Sequence, residues 1–309
     1  MFTDFSQIVK ESLEVKPEAF NKLVEEGARL ICAEDGRVGK LNILGRLVKL
    51  DPAGRALVVG DLHGDLESLI DIFRQSDFFD QLQRTTDSVM IFLGDYGDRG
   101  PFSIEIYYVL LKLKLLYPRQ IILMRGNHEG PDDLMAEPHD LPAQLQARFE
   151  KGWSETYTRI RRLFACLYNA VVVKERYLMI HGGPPTAANG IEDLAYAHDL
   201  HPKQRLLEDM LWSDPSDMVK ETSASPRGAG KLFSASVTSK FLGKFHVKIL
   251  IRGHEPCPEG FKIDHNGKIL TLFSRKGTPY FNAFGAYLDV NLSEKLENAE
   301  QLVKWIHRF

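Results

Sequence analysis

The chain has 309 residues, a mass of 35.1 kDa, 39 basic and 42 acidic side chains and a formal charge of −3. That balance leaves no overall basic field and excludes nucleic acid as an obligate partner. No run of about 18 apolar residues could span a bilayer and no charged-then-apolar leader follows Met1. Three widely spaced cysteines, Cys32, Cys166 and Cys257, make no disulfide framework, so the sequence predicts a cytoplasmic protein with no membrane partner.

Residues 1–50 hold two amphipathic segments, Phe5–Leu13 and 17–32, the second opening with Pro17 at a first helical position. They are expected to form a helical extension packed on one catalytic domain covering 1–309. Five apolar β-forming runs follow, each delivering a polar cluster. Ala56-Leu-Val-Val59 precedes Gly60-Asp-Leu-His-Gly-Asp65, and 89–93 precedes Gly94-Asp-Tyr-Gly-Asp-Arg-Gly100. Further on, 121–124 precedes Arg125-Gly-Asn-His-Glu129, 177–180 precedes His181-Gly-Gly183, and 248–251 precedes Arg252-Gly-His-Glu255. Such runs read as buried strands and the clusters as loops at their carboxyl ends. Between them, Leu66–Ser76, Ser103–Leu116 and 145–163 have helical apolar spacing, so the first half looks doubly wound. From Tyr168 onward the strands crowd together: 171–173 and 177–180 form a hairpin, and Phe261–Asp264 and 269–273 flank the tight-turn pair Asn266-Gly267. A second, mixed or antiparallel sheet is therefore expected, and 221–230, rich in Ser, Gly and Pro, reads as an irregular loop.

An open α/β sheet gathers ligands beyond the carboxyl ends of its strands, so five such loops can converge on one point. The metal-ligating groups are then Asp61, His63, Asp95, Asn127, His181 and His254. Oxygen and imidazole donors without thiolate suit a hard or borderline divalent ion. Six protein ligands are too many for one ion that keeps a water, but they suit two ions roughly 3.5–4 Å apart that share a carboxylate. Asp95, from the middle motif, is assigned as the bridge. Asp61, His63 and His254 are expected on one side of it, Asn127 and His181 on the other.

With these five motifs in order, the chain from about residue 55 to 290 resembles the phosphoprotein phosphatase family of calcineurin-like metallophosphoesterases. Trp212-Ser-Asp-Pro215 resembles the family's structural segment, and Pro226-Arg-Gly-Ala-Gly230 resembles the loop carrying its second phosphate-binding arginine. The resemblance implies an α/β fold of two packed mixed β-sheets flanked by helices. It implies a serine/threonine protein phosphatase that hydrolyses phosphomonoesters by direct attack of a metal-bridging hydroxide. Two divalent ions are implied, manganese first, with iron or zinc as alternatives; the partners are a phosphoprotein substrate and, in some members, a regulatory subunit. Arg99 and Arg227 would hold the phosphoryl group, and His128 with Asp98 would supply the acid. Charge supports these roles, since a guanidinium fork matches phosphoryl oxygens and an imidazole titrates near neutrality.

Other residues carry less. His139, His198, His201, His246, His265 and His307 have no ligand company and read as surface or packing residues; Cys257 reads as a small buried hydrophobe rather than a redox thiol. Gly97 stands where the family has a bulkier residue, which predicts looser packing behind Asp98. After 271–274, Arg275-Lys-Gly-Thr-Pro-Tyr280 replaces the family's usual loop, so its overhanging tyrosine is not carried over: Tyr280 is a candidate substitute only, and the alternative is that Arg275 or Lys276 adds positive charge at the rim instead. Competing readings are the same chemistry on a small substrate (a dinucleoside polyphosphate, nucleotide or sugar phosphate) and an inactive phosphoprotein-binding scaffold. The intact ligand, arginine and acid set argues against the scaffold.

Overall fold

Strands Arg55–Val59, Ser88–Phe92 and Ile121–Leu123 lie parallel and adjacent in chain order in the computed structural model, which describes residues 4–309. Ala286–Asn291 pairs antiparallel with Arg55–Val59, and Ile306–Arg308 completes a five-stranded sheet. The second sheet has eight strands, in the order Gly36–Val38, Leu41–Leu44, Leu47–Leu50, Ala170–Val173, Tyr177–Met179, Ile249–Arg252, Ile269–Leu272, Phe261–Asp264.

The period of two in the second sheet explains how the layers form. Tyr177, Met179, Ile249, Ile251, Leu270 and Leu272 join Leu57, Val58, Met90 and Ile91 of the first sheet in one buried cluster. Their alternates Leu178, Ile180, Leu250 and Ile269 face the other way, onto Leu207, Met210 and Leu211 of the helix Leu206–Trp212. A strand buried on both faces needs apolar residues at every position, and each such side chain contributes roughly 1.5–3 kcal/mol. The expected α/β sandwich of two mixed sheets with flanking helices is the observed architecture.

Local signals worked where chemistry is local. Pro17 opens Pro17–Ala33 as expected, and Asp65, for which no capping role was expected, caps Leu66–Ser76 by accepting the Ser68 N–H at 3.1 Å. His265, Asn266 and Gly267 take φ of 51°, 55° and 76° to turn Phe261–Asp264 back onto Ile269–Leu272.

Three expectations are corrected. Residues 1–50 are not wholly helical: Phe5–Leu13 and Pro17–Ala33 pack on Ser103–Leu116 and Trp153–Cys166, but Gly36–Leu50 supplies three strands, the last parallel to Ala170–Val173. Only Leu41-Asn42-Ile43 alternates, and one such step does not mark a strand. The helix expected over 145–163 is two, Leu141–Phe149 and Trp153–Cys166, because Glu150 and Gly152 adopt left-handed φ of 48° and 81°. Finally, Cys32 and Cys166 form a disulfide across 134 residues of sequence. Both stand near the carboxyl ends of packed helices, a proximity that cysteine spacing does not reveal. Among the described residues no helix is long and apolar enough to cross a membrane.

Candidate metallophosphoesterase site

The carboxyl ends of three strands in the first sheet and two in the second meet at one place, bridged by the pairing of Asp61 with Phe273. Close backbone approach requires glycine there. A Cβ on Gly126 would lie 2.3 Å from the Asp95 backbone nitrogen, and one on Gly94, at φ 110°, 2.3 Å from that of Gly126. His63, Asp95, Asp98, Arg99 and His254 all take positive φ between 43° and 73°. Left-handed non-glycine residues cost on the order of 1–3 kcal/mol each and persist where the surroundings over-determine them.

All six expected ligands converge. His63 Nδ1–H donates to the Gly97 carbonyl at 3.1 Å and His181 Nδ1–H to that of Leu93 at 3.0 Å, which turns both Nε2 lone pairs inward. His63 Nε2 lies 3.8 Å from Asp61 and 3.6 Å from Asp95; His181 Nε2 lies 3.4 Å from Asp95. Asn127 places its amide 3.0 Å from His181 Nε2 and 2.9 Å from His254 Nδ1. Two groups of side chains stand close enough to hold an ion, His63 with Asp95 and His128, and Asp95 with His181 and His254, so Asp95 belongs to both; His128 also meets Asp98 through Nδ1. The expected distribution is corrected in one respect: His254 stands with Asn127 and His181, not with Asp61 and His63, because its ring lies 5.1 Å from that of His181 while only its backbone N–H, at 3.0 Å, meets Asp61.

The donor set fits cations. Burial and the Asp95 charge push Asp61 up to about 7, while burial, aided by His128, drives His63 down to about 3 and leaves it a neutral donor. Burial opposes protonation of His181, but Asp95 pushes it up to about 9. His254 Nε2 is buried with no hydrogen-bond partner, 3.9 Å from Asp214. Two abutting buried carboxylates and several imidazole lone pairs aimed at one another are costly unless divalent ions sit between them.

Beside this set, His128 Nδ1 meets Asp98 Oδ2 at 2.6 Å. Burial alone would raise Asp98, yet hydrogen bonds from His128 and His139 hold its carboxyl far below the usual range, and burial opposes but the Asp95 and Asp98 charges raise His128. Arg99 and Arg227 line the same cavity of about 700 Å³, together with Trp212, His254 and Tyr280. Arg227 is anchored by Asp214 at 2.6 Å, and Asp214 also takes Arg252 at 2.8 Å.

The 275–280 loop behaves otherwise than expected. Arg275 is buried and bonded to the carbonyls of His63 and Thr278, and Lys276 pairs with Asp71 at 2.8 Å, so neither charges the rim. Tyr280 does overhang the site, its ring 5.4 Å from His63 and 5.0 Å from Phe273. Nor is packing loose at Gly97, for a Cβ there would meet the Tyr107 ring at 3.0 Å. Cys257 is buried, its thiol pushed up to about 12 by burial.

Sequence reasoning gave no role to three residues that the structure brings in. Glu129, fully buried, accepts the backbone N–H groups of Asp95, Tyr96 and Gly126 and the Tyr107 hydroxyl. Its place at the end of the Arg125–Glu129 string was the only signal. Asp214 lay in a segment read as structural, and His139 was read as packing although it reaches Asp98 at 2.7 Å.

Residues 54–258 match the calcineurin-like phosphoesterase family, and the chain belongs to it. It is similar to a probable serine/threonine-protein phosphatase of Encephalitozoon cuniculi, 32% identical over 93% of this chain and 63% of that protein. It is also similar to the serine/threonine-protein phosphatase 6 catalytic subunit of Caenorhabditis elegans, 30% identical over 82% of this chain and 72% of that one. Against other relatives the match spans 68% and 50% of their length. A serine/threonine phosphatase structure from Saccharomyces cerevisiae shares the fold, with a TM-score of 0.77 at 22% identity over 96% of this chain and 90% of that one.

Proposed function

We propose that this chain is a serine/threonine protein phosphatase, acting as one catalytic domain over 1–309. One observation carries the reading: two cavity-lining arginines and a buried Asp98–His128 pair at 2.6 Å adjoin the two groups of possible metal ligands that share Asp95, His128 itself standing within reach of the His63 group. In this reading Asp61, His63, Asp95, Asn127, His181 and His254 hold two divalent ions, manganese by preference and iron or zinc as alternatives. When bound, such ions polarise the phosphoryl oxygens and make the attacking water more acidic.

The chain's own residues supply the rest. Arg99 and Arg227 cradle the equatorial phosphoryl oxygens, where developing charge is best met by preorganised donors. With Nδ1–H committed to Asp98, His128 carries its second proton on Nε2 and delivers it to the leaving serine or threonine oxygen. The Trp212 and Tyr280 rings wall the site. Names of the relatives point to phosphoproteins as substrates and, through the word subunit, to a separate regulatory chain. The proposed compartment is cytoplasmic; the Cys32–Cys166 bond weighs against it, since reducing compartments disfavour disulfides, and a thiol count on native protein decides.

The decisive experiment compares phosphoserine and phosphothreonine peptides with dinucleoside polyphosphates and sugar phosphates on purified protein with added manganese. Preference for peptides is expected. Turnover confined to the small substrates overturns the reading.

A further inference from the structure

Resting on the reading of His128 as proton donor, we propose that His139 is a positioning residue that holds the Asp98 carboxylate in the orientation His128 requires, with Tyr157 locking His139 in turn. His139 Nδ1 lies 2.7 Å from Asp98 Oδ2, the same oxygen that meets His128 Nδ1 at 2.6 Å. The other oxygen, Oδ1, accepts the backbone N–H groups of Asp140 at 3.0 Å and Leu141 at 2.8 Å. A carboxylate has about four acceptor sites, so Asp98 is saturated by two imidazoles and two amides and has no freedom to rotate.

The far side of His139 explains its tautomer. Its Nε2 lies 2.9 Å from the Tyr157 hydroxyl, which donates to it and keeps the ring proton on Nδ1, facing Asp98. The line Tyr157, His139, Asp98, His128 thus runs from a half-buried tyrosine to side chains only 2% and 5% exposed. The same segment is stitched to the left-handed turn at Asp98 and Arg99. Arg99 Nη2 donates to the Glu137 carbonyl at 2.9 Å, the Arg99 N–H to Asp140 at 3.1 Å, and Gln144 Nε2 to the Gly100 carbonyl at 2.9 Å. His139 does not line the cavity, so it acts through Asp98 rather than on substrate.

The readout is the ratio of kcat/KM for a phosphothreonine peptide to that for nitrophenyl phosphate, whose leaving group scarcely needs a proton. General acid catalysis is worth about 10²–10⁴-fold, and loss of positioning forfeits part of it. His139→Leu, with metal content unchanged, should lower the ratio about tenfold. In His139→Asn the amide N–H takes the place of Nδ1–H, so the ratio should recover to within about threefold of wild type. Equal losses on both substrates in His139→Leu, or no recovery in His139→Asn, would reduce His139 to packing and overturn the proposal. If His139→Leu fails to fold, Tyr157→Phe carries the test: a two- to threefold lower ratio is expected, and an unchanged ratio overturns it. His128→Asn separates the two ideas. If it leaves the ratio unchanged, the proton-donor reading itself falls; if it collapses the ratio while His139→Leu does not, only the present inference falls.

Discussion

The Glu129 carboxylate accepts the backbone N–H of Asp95 at 2.8 Å from a position with no solvent exposure. With the Tyr96 and Gly126 N–H groups and the Tyr107 hydroxyl it therefore faces four donors. This buried charge sets the loop that carries the shared ligand. Replacement by glutamine turns an NH₂ group toward those donors, and buried unsatisfied groups cost about 1–3 kcal/mol each. Glu129→Gln should lose about 3 kcal/mol of stability and bind manganese more weakly, as checked by denaturant unfolding and metal titration. Unchanged values for both would show that the loop holds itself.

Asp95→Asn removes the carboxylate common to both ligand sets. Turnover should fall by two or more orders of magnitude, with fewer than two ions retained per chain by elemental analysis. Near-normal turnover at full metal content would rule out the shared-ligand role.

Arg227 reaches the cavity while its Nε is tied to Asp214 at 2.6 Å. Arg227→Ala should lower kcat/KM by on the order of a hundredfold, about 3 kcal/mol, and weaken inhibition by inorganic phosphate. Arg227→Lys should recover only part, because a point charge replaces a fork. Equal phosphate inhibition of wild type and Arg227→Ala would place this residue outside the site.

Asp98 has a depressed carboxyl in the folded chain, against about 3.9 when unfolded. Such a group stabilises the fold above about pH 4, and the contribution disappears as pH falls toward the folded value. Melting temperatures measured between about pH 5 and 3 should therefore drop more steeply for wild type than for Asp98→Asn. Parallel curves would mean that the acid limb belongs to other carboxyls.

The Cys32–Cys166 bond closes a span of 134 residues between two packed helices. Reduction, or Cys32→Ser, should cost about 2–4 kcal/mol of unfolding free energy without changing metal content. A reduced protein as stable as the oxidised one would show that helix packing alone holds this face.

Local chemistry was legible in the sequence because it acts over a few residues. Buried strand runs, the Pro17 helix start, the Asn266-Gly267 turn and the ligand loops each depend on immediate neighbours. The strands of 36–50 were not legible, since a short alternating segment becomes a strand only when Ala170–Val173 offers it an edge. His139 was missed for a similar reason: nothing near it in sequence shows that its loop folds across Asp98, 41 residues earlier.

The sequence by itself determined which groups could do metal and phosphoryl chemistry, because donor type, acidity and charge belong to side chains and their motifs. Only the tertiary structure decided how they are shared out. His254 joins Asn127 and His181 because its loop leaves the second sheet, on the side where His181 also emerges, and places the rings 5.1 Å apart. Tyr280 occupies the overhang although its loop is atypical, because Arg275 is drawn under it to the His63 carbonyl. Glu129 became a backbone anchor once Gly94 and Gly126 let their loops meet around it. Such pairings depend on distances between residues remote in the chain, which are fixed only when both sheets close on a common core.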